Sequence, residues 1–159
     1  MKIVCAFLVS IAANCSVSFA CSTDEGQFES VDEQSVRDSQ TNLTWYRCLV
    51  GEKIVDNACS GTPELLSWNE AAAFVQKIPP GDWRIPNLEE METIIDVDCE
   101  NVTLPRVLPL TAGVQVWTSS PGFPVNDVSA IIDLADGKVW GIGRGVARYF
   151  LLVKGFQTD

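Results

Sequence analysis

The sequence predicts an α+β domain. Two capped, amphipathic helical segments lie mid-chain, strand-like runs flank them on both sides, and no tandem repeat, heptad or low-complexity tract breaks the pattern. Helices framed by strands, rather than alternating with them, call for small antiparallel sheets.

At the N-terminus, Lys2 precedes an apolar run from Ile3 to Ala13 and a small-residue exit at Ser18-Phe19-Ala20, which reads as a secretory signal peptide over 1–20. Its apolar core is shorter than the roughly 20 residues of a membrane span, and no later segment approaches that length, so no membrane insertion is expected. Cleavage after Ala20 would expose Cys21, the position a bacterial lipoprotein modifies. Bulky Phe19, and Ser18 where such a signal usually carries Leu, favour an unmodified Cys21 held in a disulfide. Residues 21–159 suit a single domain with its core at about 28–155.

Residues 22–40 are polar and acidic, with Phe28, Val31 and Val36 as the apolar anchors, and predict an exposed lead-in with one short edge strand. Asn42-Leu43-Thr44-Trp45-Tyr46 has strand character and runs through Cys48 into a loop ending at Cys59-Ser60-Gly61. Ser67, with Glu70 three residues on, forms a capping box; Trp68, Ala71, Ala72 and Val75 follow at one-face helical spacing until Pro79-Pro80-Gly81. Asn87 and Glu90 make a second box, and Leu88, Met91 and Ile94 or Ile95 line a short helix closing near Asp96. On that helix Glu89, Glu90 and Glu92 read as a solvated face.

Between Cys99 and Gly113, Pro105 and Pro109 predict an irregular loop. Three strand-like runs follow, at 114–118, 128–134 and 146–153. Asp136-Gly137 is a hairpin turn signal between the second run and Lys138-Val139-Trp140.

The chain has 6 cysteines; Cys5 and Cys15 fall in the leader, leaving Cys21, Cys48, Cys59 and Cys99. Four cysteines in an exported chain imply two disulfides, and sequence alone does not choose among the three pairings. Gly51 and Asp56-Asn57 are turn residues suited to bringing Cys48 and Cys59 together, which leaves Cys21 for Cys99. The competing zinc reading fails on the absence of His and of a closely spaced cysteine pair, so neither metal nor cofactor is expected. The formal net charge of the whole chain is −10, which repels nucleic acid; among the basic residues only Arg144 and Arg148 cluster.

In order and spacing, Leu43-Thr44-Trp45-Tyr46-Arg47-Cys48, Cys59-Ser60-Gly61, Trp68-Asn69-Glu70-Ala71, Asp82-Trp83-Arg84-Ile85-Pro86-Asn87, Trp117-Thr118-Ser119-Ser120, Asp133 to Gly137 and Arg148 resemble the domain family named for the C-terminal domain of the Legionella collagen-like adhesin. The Asp-Trp-Arg-Ile-Pro stretch before a Glu-rich helix is the most specific element. The resemblance covers nearly all of the mature chain and implies a C-type lectin-like fold, with two short helices packed on small antiparallel sheets, in a bacterial exported or surface protein with a binding or adhesive role. Two departures stand out. The family often has a Cys just after the C-terminal Arg, where this chain has Arg148-Tyr149-Phe150. The adhesin follows a collagen-like stalk and binds sulfated polysaccharides, whereas this chain is acidic and has no Gly-X-Y repeat.

Without His, Ser-His-Asp and Cys-His catalysis are excluded, and nothing marks a working carboxylate pair. Formylglycine-generating enzymes have a related fold but need reactive cysteines, and two disulfides leave none. The calcium loops of sugar-binding lectins, Glu-Pro-Asn or Gln-Pro-Asp with a later Trp-Asn-Asp, are missing.

Trp83 and Arg84, at the joint between the helices, read as structural: Trp83 in the core, Arg84 bonded to a carboxylate and backbone carbonyls. Trp45, Trp68 and Trp117 read as core as well. Trp140 and Arg144 lie in Val139-Trp140-Gly141-Ile142-Gly143-Arg144-Gly145, a Gly-rich loop that suits recognition of a sugar ring or a peptide; the alternative is that Trp140 ends a strand and packs inward. Asn126 and Asp127, on the neighbouring loop, would add hydrogen bonds.

The expected function is thus a non-enzymatic bacterial binding or adhesion module that recognises a glycan or an envelope or surface protein. The alternatives are a structural or adapter subunit, including a homo-oligomer, and a carboxylate-dependent enzyme.

Overall fold

The computed structural model of the chain describes residues 26–79, 82–95, 104–122 and 127–155. The signal-peptide reading of 1–20, Cys21, Cys99 and Asn126 lie outside the described residues.

The acidic stretch before Leu43 is more than a lead-in. It forms a hairpin of β1 (Phe28–Ser30) and β2 (Ser35–Asp38), and β2 pairs antiparallel with β3 (Thr44–Tyr46). Ser35, Val36 and Asp38 are buried. Asp38 is tolerated there because its carboxylate accepts from Gln40 N and Thr41 Oγ1, both at 2.8 Å, and so closes the turn to Asn42, which sits at φ 61°. The hydropathy pattern underread this hairpin because two of the three buried residues of β2, Ser35 and Asp38, are polar. The last strand, β9 (Val153–Lys154), pairs with β3 and completes a four-stranded sheet in the order β1-β2-β3-β9.

The expected loop after Cys48 is a second hairpin, β4 (Glu52–Val55) with β5 (Ala58–Gly61). Asp56 and Asn57 both take positive φ, 51° and 62°, the conformation a tight two-residue hairpin turn demands. Cys48 and Cys59 are disulfide-bonded with their Cα atoms 5.6 Å apart.

Both capping boxes are formed. Ser67 and Glu70 start α1 (Trp68–Val75), and Asn87 and Glu90 start α2 (Leu88–Glu92). Each helix stops short of its predicted end, at Val75 rather than by Pro79 and at Glu92 rather than near Asp96. Ile94 and Ile95 are nonetheless buried, carried inward by the turn that follows α2.

The third sheet has the order β6-β7-β8, from β6 (Gln115–Pro121), β7 (Val128–Asp133) and β8 (Val139–Gly143). It separates two apolar clusters. Val116, Ile132 and Leu134 join Trp45, Met91 and Leu151 on one side; Trp117 and Ile131 join Ala71, Val75 and Phe150 on the other. That two-sided burial accounts for the near-continuous apolar run in β7.

Two sequence expectations need correction here. Residues 146–153 form no continuous strand: this segment, buried only from Phe150 to Val153, bridges in turn to Leu66 through Arg148, to Val116 through Tyr149 and to Arg84 through Val153, and only its end joins a ladder. Two of the three glycines of 139–145 do not make a loop either, because Gly141 and Gly143 are ladder residues of β8, opposite Ala130 and Val128, and only Gly145 lies in the turn that follows. An added Cβ on Gly122 would come within 3.2 Å of the Gly141 Cα, so backbones meet closely at this point.

Candidate functional site: a groove between two tryptophans

Asp82 to Asn87 is fastened to the C-terminal strand by backbone. Arg84 and Val153 exchange N–H···O bonds of 2.9 Å in both directions. The Arg84 guanidinium grips Glu90 through both of its oxygens, Nη1 to Oε2 at 2.7 Å, and donates to the Gly155 carbonyl at 2.8 Å. Arg84 thus bonds a carboxylate and a backbone carbonyl, as its position at the joint suggests. Glu90 is not part of a solvated face: it is 3% exposed, and it also accepts from the Asn87 amide. A buried carboxylate of this kind requires the charge and donors that Arg84 and the cap supply.

Trp83 packs against the core cluster of Trp117 and Phe150, at its rim rather than within it. It is half-buried, set edge-to-face with Tyr46 at 6.2 Å between centroids, and the Lys154 ammonium stands 4.8 Å from its ring. Burial, and then the charges of Asp32 and Glu52, push the Tyr46 phenol up from its ordinary value; its hydroxyl donates to the Glu52 carbonyl at 2.8 Å. Beside Trp83 opens a cavity of about 620 Å³ lined by Thr44, Gln76, Asp82, Arg84, Lys154 and Gly155.

A smaller cavity, of about 200 Å³, adjoins it. Gln76 and Arg84 line both, and Trp68, Ala72, Val75, Ile85 and Ser119 complete the second. Trp68 is also half-buried. Its indole N–H donates to the Thr118 carbonyl at 3.1 Å, and the Arg144 guanidinium lies 4.4 Å from its ring. Arg144 is fixed from three sides. Its Nε donates to buried Ser129 Oγ at 2.8 Å, its amide to the Asp127 carbonyl at 3.0 Å, and its carbonyl accepts the Trp68 amide at 2.9 Å. The result is a groove along α1 with a tryptophan–cation pair at each end.

Of the residues singled out in the sequence, the structure brings together Arg144, Trp68 and the backbone of Asp127, whose side chain is exposed. Trp140 stands apart on β8, 41% exposed, and its side chain has no hydrogen bond or ring contact among the described residues. Trp45 and Trp117 are fully buried, and the Trp117 indole donates to the Leu66 carbonyl at 2.9 Å. Trp45 Nε1 has no hydrogen-bond partner among the described residues. Lys154 and Gln76 were missed because each reads as an ordinary solvated residue until the fold sets both beside Trp83. Among the described residues no group of three His, Cys, Asp or Glu is placed to hold a metal ion, and no helix is long and apolar enough to cross a membrane.

A family model described as the Lcl C-terminal domain matches residues 34–154, a span that includes both ends of the groove. No curated protein and no solved structure matches the chain.

Proposed function

Because the chain belongs to the Lcl C-terminal domain family, we propose that it is an exported, non-catalytic recognition module with a C-type lectin-like architecture, and that it binds a glycan in the groove between Trp83 and Trp68. The groove carries this reading. Two adjoining cavities, with an indole at each end, match the size of a site for a short run of sugar rings. Indole faces suit the apolar faces of pyranose rings, and Gln76, Asp82 and Thr44 offer donors and acceptors for hydroxyls. Arg144 serves this site indirectly, by holding Trp68 in place.

The lectin-like reading is supported by the closure of the domain through paired early and late strands, β3 and β9, with two short helices and a separate antiparallel sheet between them. Non-catalytic action is supported by the absence of His from the sequence. Export rests on the leader-like sequence over 1–20 and on the disulfide, a bond of oxidising compartments.

A glycan array at physiological salt tests the reading. Binding should appear for the parent chain, fall sharply with Trp83→Ala and with Gln76→Ala, and survive chelation of divalent metals. Binding unchanged in both variants would remove the groove from the account. Gln76 is exposed, so its substitution tests the site without disturbing the core.

A further inference from the structure

The two cavities of the groove differ in chemistry. Thr44, Asp82 and Lys154 border the larger, whereas four of the seven described residues around the smaller, Trp68, Ala72, Val75 and Ile85, are apolar. Helical spacing puts three of these on one face: Trp68, Ala72 and Val75 stand at i, i+4 and i+7 of α1, and Gln76 follows at i+8 as its C-cap. Ile85 and Ser119 come from two other segments, which the Ser119 amide ties together by donating to the Pro86 carbonyl at 2.8 Å. At about 200 Å³, below the roughly 300 Å³ at which small-molecule sites begin, the smaller cavity has room for one substituted ring and not for a run of them.

Its polar groups are few. The Gln76 carboxamide and the Ser119 hydroxyl are on exposed residues and have no hydrogen-bond partner among the described residues. Arg84, the one cation bordering this cavity among the described residues, is committed to Glu90 and Gly155. A pyranose hydroxyl set against Ala72, Val75 and Ile85 would lose its water with no bond in return, which is unfavourable. A deoxy or O-methyl group would suit those residues but leave Gln76 and Ser119 unpaired. A sulfate or carboxylate would meet a guanidinium already neutralised by Glu90. An acetamido group satisfies every side of the cavity: its methyl meets the apolar residues, and its N–H and carbonyl supply one donor and one acceptor for the Gln76 carboxamide and the Ser119 hydroxyl. We propose that the smaller cavity is the subsite for the N-acetyl group of an amino sugar, so that the glycan of the groove contains N-acetylhexosamine. This assignment rests on the groove being the glycan site, and it names the class of sugar that fills one end of it.

Calorimetric titration of the full chain with two tetrasaccharides tests it. One is built of β1,4-linked N-acetylglucosamine and the other of β1,4-linked glucose, so they differ only in carrying an acetamido group or a hydroxyl at C2. The acetylated sugar should bind at least about tenfold tighter, the combined effect of a buried methyl and an added hydrogen bond. Ala72→Leu, which fills the smaller cavity with a side chain that a helix accepts, should erase the difference while the Trp83 end still binds the glucose chain. Ser119→Ala, at an exposed position, should narrow it about threefold. Cross-relaxation between the acetyl methyl protons and the methyls of Ala72 and Val75 gives a readout that needs no variant. Equal binding of both sugars, lost in Trp83→Ala but unchanged in Ala72→Leu, would overturn the N-acetyl assignment and leave the groove as the glycan site. A preference for the acetylated sugar that persists in Ala72→Leu would do the same. No binding of either sugar, or binding indifferent to Trp83→Ala, would overturn both.

Discussion

Arg84 shows how much one side chain carries in this fold. It joins α2, through Glu90, to the C-terminal strand, through Gly155 and Val153. Removing it by Arg84→Ala leaves Glu90 buried without a counter-charge and should cost about 3 kcal/mol, the low end for breaking such a pair because the Arg84 side chain is 32% exposed; chemical denaturation measures it. Gly51→Ala should cost more than about 1 kcal/mol, since φ is 99° and the new Cβ would fall 2.4 Å from the Thr62 carbonyl oxygen. Tyr46 gives a pH signature. As an acid with a raised pKa it contributes stability fully below its ordinary value of 10.0, and that contribution is lost as pH rises through the higher folded value. The difference in phenolate absorbance between the parent and Tyr46→Phe should thus titrate above a free tyrosine. Residue type alone pointed to the carboxylate and carbonyl that Arg84 bonds, because a guanidinium at a helix joint needs acceptors. It did not show that Trp83 sits at the rim of the core, because a tryptophan beside a capped helix looks the same in sequence whether it lies under the core or at its rim.

At the scale of elements, local chemistry was the most legible. Both capping boxes and the Asp56-Asn57 turn form where side-chain oxygens and positive-φ residues call for them. Ser67→Ala should lower stability by about 1 kcal/mol. Hydrogen bonds from Ser67 hold the Glu70 carboxyl below its ordinary range, so its support for the cap is present above that range and is lost as pH falls through the lowered value. The parent should therefore lose α1 stability in acid more steeply than Ser67→Ala, as read from helical circular dichroism. Cutting the Cys48–Cys59 bond by the double serine substitution should cost about 2–3 kcal/mol, detectable as a fall in Tm. Less legible were elements defined by partners distant in the chain. Residues 146–153 have strand composition, yet successive residues bond to three different segments, and no local pattern encodes that. The second half of β8, Gly141 to Gly143, looked like a loop because its glycines suit close backbone approach as well as they suit turns.

For the molecule as a whole, the α+β class followed from the order of capped helices and strand-like runs, and family membership from the spacing of its motifs across residues 34–154. The groove did not follow, because it is assembled from Thr44, Gln76, Trp83 and Lys154, which meet only when the last strand returns beside β3. The same closure places the two half-buried tryptophans at either end of α1 and leaves Trp140 alone on an open sheet edge. The five indole N–H resonances of the chain therefore separate the possible binding surfaces directly. Titrating the ¹⁵N-labelled protein with a glycan that scores on the array should shift the signals of Trp83 and Trp68 while leaving buried Trp45 and Trp117 largely in place. Shifts confined to Trp140, with Trp83 and Trp68 unmoved at saturation, would contradict the groove as the recognition site.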